Sequence, residues 1–417
     1  MLSKCDIQSR ILLLFALSLL VLASVLFLIH STSIYDLDST ISDFSSIYLE
    51  HVRKFKEPYP PMLIGAYENE HGISVSVAAL KPIGYTVYCR YFDKTGKEHE
   101  KPMKSFVFPL FVVFCDRKTP ETYRIAITDS PTTLVYEQFQ TNVIRWTESY
   151  TRFLTHCAAP IFGKEPKWLH LVEMIEHYKL MGVSKFYFYV REIDPYDLEL
   201  LRHYVEKREE VEIVEVPSIY MDAVSQQLLA VADCHLRNKL SANWTIFSDI
   251  DERMIMTDEK ETISNFLRNS LGDSYGAVMF AQRWIFKLDQ LPDHFINYQQ
   301  VMEQMPTRKW EVTTRAAVNC TEGKHCWGKM IINNRKVLQM LIHDVGEYEN
   351  GFEPWILDPK VGYIRHYRDV KMGNWFKRNK DHLESLKPFE NTTYNNHLKS
   401  TLLSNVLQVL HEVYDRQ

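Results

Sequence analysis

Two aspartates, Asp249 and Asp251, stand two residues apart where the apolar run 244–247 of "NWTIFSDIDERMIM" gives out, with Glu252 directly behind them. At the end of a buried strand, two carboxylates at this spacing can address one hard divalent cation such as Mg2+ or Mn2+, whose other positions go to diphosphate oxygens and water. Such an ion offsets the charge that develops on a departing nucleoside diphosphate. The pattern alone says little, since Asp36 and Asp38 repeat it in a polar segment with no strand before it. Acids that face water or cap a following turn would look the same.

The elements that must position these acids alternate between strand and helix. "THCAAPIFG" (155–163) reads as a strand closed by a Pro/Gly turn. "PKWLHLVEMIEHYKLMG" (166–182) repeats apolar residues at helical spacing and stops at Gly182, and "KFYFYV" (185–190) is a strand. "DPYDLELLRHYVEKR" is an amphipathic helix with Asp194 as N-cap before Pro195, followed by the strand "VEIVEVP". "AVSQQLLAVADCHLRNKLS" is the helix that leads into the opening run. This alternation predicts an α/β fold with a mostly parallel, doubly wound sheet and helices on both faces. Ligands of such sheets bind beyond the carboxyl ends of the strands, where Asp249 and Asp251 fall.

The N-terminal part differs. Residues 11–29 form an unbroken run of 19 uncharged, mostly apolar residues, long enough to cross a bilayer. Lys4 and Arg10 precede it, while the first basic residue after it, His30 aside, is Arg53, so the positive-inside bias puts residues 1–10 in the cytosol and the rest in the lumen. The apolar core of a cleaved signal peptide is shorter, about 7–15 residues, which favours an uncleaved signal-anchor. Residues 30–70, broken by "EPYPP", read as a stem; 71–145 carry short β-rich runs, including "YTVYCRYF" and "SFVFPLFVVFC", and read as a small antiparallel β-sandwich; 150–417 hold the α/β domain. Cys89 and Cys115, on two sandwich runs, are candidates for a disulfide. Asn243, Asn319 and Asn391 head possible glycosylation sequons, Asn391 in the most polar surroundings. A net charge of -5 provides no polybasic footprint for nucleic acid.

"CAAPIFG", "IEHYKLMGVSKFYFYV", "DCHLRN", "FSDIDE" and "IRHYRD", in this order from residue 157 to 369, resemble glycosyltransferase family 92. The resemblance covers most of the chain from residue 155 on and implies a GT-A nucleotide-sugar transferase, a type II single-pass protein of the Golgi membrane with a lumenal catalytic domain. It further implies UDP-galactose as donor, a β-1,4 linkage to a glycan acceptor, inversion, and Mn2+ or another divalent cation. By the same carry-over Asp249 and Asp251 are metal and diphosphate ligands, and Glu252 is structural. His366 of "GYIRHYRD" is implied as third ligand, with His343 of "LIHDVGE" as its competitor. The turn holding Ala159, Pro160 and Gly163 is placed at the nucleotide, and Arg237 at a phosphate, a role its planar fork suits. Arg237 could instead pair with Asp233 one helical turn away.

Neither GxGxxG nor GxxxxGKS/T occurs, so the metal rather than a P-loop would hold the diphosphate. An inverting reaction needs a carboxylate base beside the acceptor hydroxyl. Glu347 and Asp344 are candidates, with Glu349 and Glu353 in the same segment, and Trp284, Trp310, Trp327 and Trp355 could offer acceptor sugars an aromatic face or simply pack in the core. Two other functions fit the same residues: a lumenal glycan-binding module built on an inactive transferase fold, and a metal-dependent hydrolase.

Overall fold

The computed structural model describes residues 61–79, 82–116, 119–145, 151–216, 221–314, 328–369 and 380–415. The expected tail, anchor and most of the stem, together with Asn319 and Trp327, lie outside the described residues. No helix among the described residues is long and apolar enough to cross a membrane.

Seven strands build the expected sandwich: β1 (Met62–Glu68), β2 (Gly72–Ala78), β3 (Thr86–Phe92), β4 (Met103–Phe106), β5 (Val112–Asp116), β6 (Arg124–Thr128) and β7 (Thr141–Asn142). They form a sheet of order β1-β2-β5 and another of order β4-β3-β6-β7. The sandwich therefore begins at Met62, inside the segment assigned to the stem, because β1 pairs antiparallel with β2 along its length. The run "SFVFPLFVVFC" is likewise two strands and not one: Pro109 has no N–H for a ladder, the chain turns there, and β4 and β5 join different sheets. Cys89 on β3 and Cys115 on β5 form a disulfide that links the two sheets.

The α/β part opens with β8 (Arg152–Ile161), α1 (Trp168–Leu180), β9 (Lys185–Val190), α2 (Pro195–Glu206), β10 (Val211–Glu215), α3 (Ala223–Asn238) and β11 (Ala242–Ser248). Local chemistry sets the helix ends. Asp194 and Asp222 accept hydrogen bonds from Tyr196 N and Ser225 N as N-caps of α2 and α3. At the end of α1, Gly182 adopts a φ of 98° while its N–H and that of Val183 reach back to the Lys179 and Tyr178 carbonyls, a glycine-dependent stop.

After β11 come β12 (Glu252–Met256), β13 (Tyr275–Phe280), β14 (Gln282–Lys287), β15 (Val312–Thr314), β16 (Lys329–Asn333), β17 (Val337–Met340), β18 (Val345–Tyr348), β19 (Glu353–Ile356), β20 (Gly362–Asp369), β21 (Phe389–Asn391) and the terminal helix α4 (Asn396–Tyr414). The main sheet runs β10-β9-β8-β11-β16-β13-β19. Its first four strands are parallel, as the alternation predicts, but β16 enters antiparallel between β11 and β13. Side chains alternate between two cores. Phe186 and Phe188 pack with α1, α2 and α4, whereas Tyr187 and Tyr189 pack with α3 and with Ala78 and Phe111 of the sandwich. The sandwich thus helps cover the second face.

A second disulfide, Cys157–Cys234, ties the end of β8 to α3. It closes a 77-residue separation, so replacing both cysteines by serine is expected to cost roughly 2–4 kcal/mol by freeing the unfolded chain. Urea unfolding measures this, and an unchanged midpoint would count against the cross-link.

Candidate functional site

The chain leaves β8 toward β9 and β10 on one side and returns with β11 on the other, so the carboxyl ends of β8 and β11 part at the reversal of strand order. Ala158 pairs with Ser248 as the last rung, and the ladder between β8 and β9 slips over Ala159 and Pro160. A cleft opens here, lined by Ala158 and Ala159 from β8, Gln227 from α3, Ser248 and Asp249 from the end of β11, and Lys329 from β16. Cys157 of the second disulfide also lines it. Of the residues assigned to the nucleotide, Ala159 and Asp249 face the cleft. Pro160 is still on β8, and Gly163 lies in the turn beyond, where it takes a φ of 79° and its carbonyl accepts a hydrogen bond from Lys167 Nζ.

Arg237 is not there. Its guanidinium bonds to Asp233 and to Glu212 of β10 and lies over the rings of Tyr67 and Tyr187. The i,i+4 partner wins because α3 turns this face toward the sandwich, where a buried guanidinium needs anionic partners.

Beyond β11, register alone brings the remaining groups together. β12 pairs antiparallel with β20 so that Glu252 lies opposite His366, and β14 flanks β20 on its other side with Trp284 opposite His366. Tyr367 N–H donates to the Asp251 carbonyl, fixing the Asp251 backbone to the same strand. The His366 ring then has Nε2 3.4 Å from Asp251 Oδ2, and Nδ1 3.0 Å from Gln282 Oε1 and 3.2 Å from Glu252 Oε1. Arg368 Nη1 lies 3.2 Å from Nε2.

Glu252 is the hub of this cluster. It is fully buried, accepts from Asp249 N–H and from Gln282 Nε2, and stands 3.9 Å from Lys329 Nζ. Lys329 Nζ donates to Asp249 Oδ1 at 3.0 Å, to which Gln227 Nε2 also reaches at 3.4 Å.

Burial, with Asp249, pushes the Glu252 carboxyl above its ordinary range against the pull of Lys329. Burial would strip the Lys329 proton, but Asp249 and Glu252 outweigh it and hold the ammonium charged. Burial likewise opposes charge on Asp251 and on His366. Their mutual attraction prevails, lowering Asp251 and raising His366. His343 lies near the same group, its Nδ1 on the Gly328 carbonyl, and burial followed by Lys329 lowers it to about 4.

Among the described residues no group of three or more His, Cys, Asp or Glu side chains is arranged to hold a metal ion as it stands. The chemistry of Asp249, Asp251 and His366 is nonetheless of the kind that could hold a divalent cation. The Asp249 and Asp251 side chains keep 30% and 28% of their surface exposed, Asp249 at the cleft, and the His366 ring is oriented through Nδ1 so that Nε2 faces Asp251. His170 of α1 is buried with neither ring nitrogen hydrogen-bonded, and its charge state couples to Asp251 and His366. Burial, then Lys287 and Arg253, keeps it neutral, the form that can coordinate.

The base candidates stand apart. Asp344 and Glu347 are exposed at the β17–β18 hairpin; Asp344 Oδ1 accepts from Val345 N–H, and neither carboxylate bonds to the cleft group. Trp284 and Trp310 are buried and Trp355 is half-buried against the core, Trp284 donating through Nε1 to Gln282 Oε1 and Trp355 stacking on Tyr275. Asn243 is half-buried in the central strand β11, whereas Asn391 is exposed at the end of β21.

The residues that sequence patterns did not single out are Lys329, Gln282 and Gln227. A lysine heading the apolar strand "KMIIN" was the one available signal.

No curated protein is matched by the sequence. Among solved structures, mannosyltransferase PcManGT from Pyrobaculum calidifontis, in complex with GDP-Man and Mn2+, is similar at 12% identity and a TM-score of 0.32, over 65% of this chain and 78% of that one. HddC from Yersinia pseudotuberculosis is similar at 10% identity and a TM-score of 0.28, over 55% of this chain and 99% of that one. The model of glycosyltransferase family 92 matches residues 152–402, from the first residue of β8 into α4. That span contains the switch-point cleft, the two aspartates and His366: the chain belongs to glycosyltransferase family 92.

Proposed function

We propose that this glycosyltransferase has a GT-A domain and moves galactose from UDP-galactose to a glycan hydroxyl, with inversion, forming a β-1,4 linkage. It would do so in the Golgi lumen, anchored by residues 11–29 as a type II protein. The observation that carries the reading is the placement of Asp249 and Asp251 at the switch point of the sheet, with His366 registered beside Asp251 in a chain of this family. Asp249, Asp251 and His366 would hold a divalent cation, Mn2+ foremost, which neutralises charge on the departing diphosphate.

The chain's own groups do the remaining work. Ala158 and Ala159 leave room for the nucleotide beside β8, Gln282 and Glu252 hold the His366 ring in place, and Tyr367 N–H fixes the Asp251 backbone. An acidic residue of the 344–353 segment, Glu347 or Asp344, takes the acceptor proton once the acceptor brings its hydroxyl within reach.

Full-length protein supplied with Mn2+, a panel of UDP-sugars and a glycan array tests donor and acceptor together. UDP-galactose should be consumed only with acceptor present, and EDTA should abolish turnover until Mn2+ is restored. Sugar released into water alone would mark a hydrolase. Glycan binding that survives chelation without turnover of any donor would mark a binding module.

A further inference from the structure

Lys329 places a fixed positive charge where the proposed cation must act. Its side chain is 2% exposed, its ammonium donates to Asp249 Oδ1 at 3.0 Å, and its second acidic neighbour is Glu252 at 3.9 Å. The lysine heads β16, which pairs with β13 through Phe280↔Lys329, so its backbone is fixed beside the cleft by a central strand. A divalent cation and an ammonium cannot share one carboxylate oxygen without close cation–cation repulsion.

We infer that Lys329 is an internal counter-ion that competes with the divalent cation for Asp249. The diphosphate of the nucleotide relieves this competition by giving the ammonium another anion in the same cleft. The inference rests on the metal reading above and adds a consequence: metal and nucleotide should bind in a mutually dependent way, with Lys329 setting much of the coupling. An empty cleft would then hold its cation weakly, and the donor would complete the metal site by drawing Lys329 off Asp249. Couplings between sites on one protein are commonly about 5- to 150-fold and must be reciprocal.

The test is Mn2+ binding to full-length protein, read from the electron paramagnetic resonance signal of free Mn2+, with and without UDP. The wild-type protein should bind Mn2+ weakly alone and at least about 5-fold more tightly with UDP. Lys329→Met should bind Mn2+ alone at least about 5-fold more tightly than wild type and gain less from UDP. Lys329→Arg, which keeps the charge, should behave as wild type. Lys185→Met removes a cation that bonds to the Glu209 and Val211 carbonyls at the start of β9, away from the cleft, and should leave Mn2+ affinity unchanged. Because Lys329→Met strips Glu252 of a neighbouring charge, Lys329→Met with Glu252→Gln removes both charges and serves if the single variant does not fold.

Unchanged or weaker Mn2+ binding by the folded Lys329→Met or double variant, with wild type binding Mn2+, overturns the competition and leaves the metal reading standing. Equal tightening by Lys185→Met also overturns it, since net charge then suffices. If no variant binds Mn2+ with or without UDP, the metal reading fails and the inference falls with it.

Discussion

Asp251→Asn is expected to lower transfer at least about 100-fold while leaving the thermal unfolding midpoint close to that of wild type. Removing a group that holds charge at the reacting centre forfeits on the order of 3 kcal/mol of transition-state stabilisation, and each 1.36 kcal/mol is about tenfold in rate. The fold tolerates the change because the Asp251 backbone, which accepts the Tyr367 N–H, is unaltered. His366 also keeps Glu252 and Gln282 at Nδ1 when the Asp251 charge is gone. Initial rates with UDP-galactose and Mn2+, set beside differential scanning calorimetry, separate the two effects. Turnover that persists in Asp251→Asn would remove the metal from Asp251, and a collapse of the unfolding midpoint would make Asp251 a structural partner of His366.

How much of this was legible in the sequence follows the distance over which each feature is determined. The cap at Asp194 and the stop at Gly182 depend on neighbours within a turn, and both stand where the sequence pattern places them. The parallel block β10-β9-β8-β11 follows from helix and strand alternation, because crossover connections force parallel neighbours. The antiparallel entry of β16 depends on pairing with strands about 50 or more residues away, and no local pattern encodes it.

The site divides in the same way. Asp249 and Asp251 were visible because one strand end delivers both. Lys329 was not, because the acid it serves lies 80 residues earlier and only the β11–β16 pairing brings them together. Glu252 looked like the spare member of its motif, yet its register opposite His366 makes it the group on which the others converge. Arg237 was misplaced for the opposite reason: its chemistry suits phosphate, but a partner already lay one helical turn away at Asp233.

That partner carries the second large expectation, a loss of roughly 3–5 kcal/mol on Asp233→Ala. The Asp233 carboxylate is wholly buried and accepts from Tyr67 Oη at 2.8 Å, Tyr189 Oη at 2.6 Å, Ser76 Oγ and Arg237 Nη2 at 3.1 Å. Tyr67 and Ser76 belong to sandwich strands and Tyr189 to the main sheet, so one side chain of α3 joins the sandwich to the α/β core. Burial first, and then the Asp233 charge, hold both phenols well above 10, so they stay protonated and keep donating. Alanine would leave the Arg237 guanidinium without its charge partner on α3, a class of change that costs about 3–5 kcal/mol, and would take the acceptor from the Tyr67 and Tyr189 hydroxyls besides. Urea unfolding reports the loss, and UDP affinity in the folded state should not change, since neither Asp233 nor Arg237 lines the cleft. The opposite pattern, full stability with weakened UDP binding, would return Arg237 to the phosphate. The expected pattern instead makes the Asp233–Arg237 pair the joint that holds α3 to the sandwich and the main sheet, apart from the cleft.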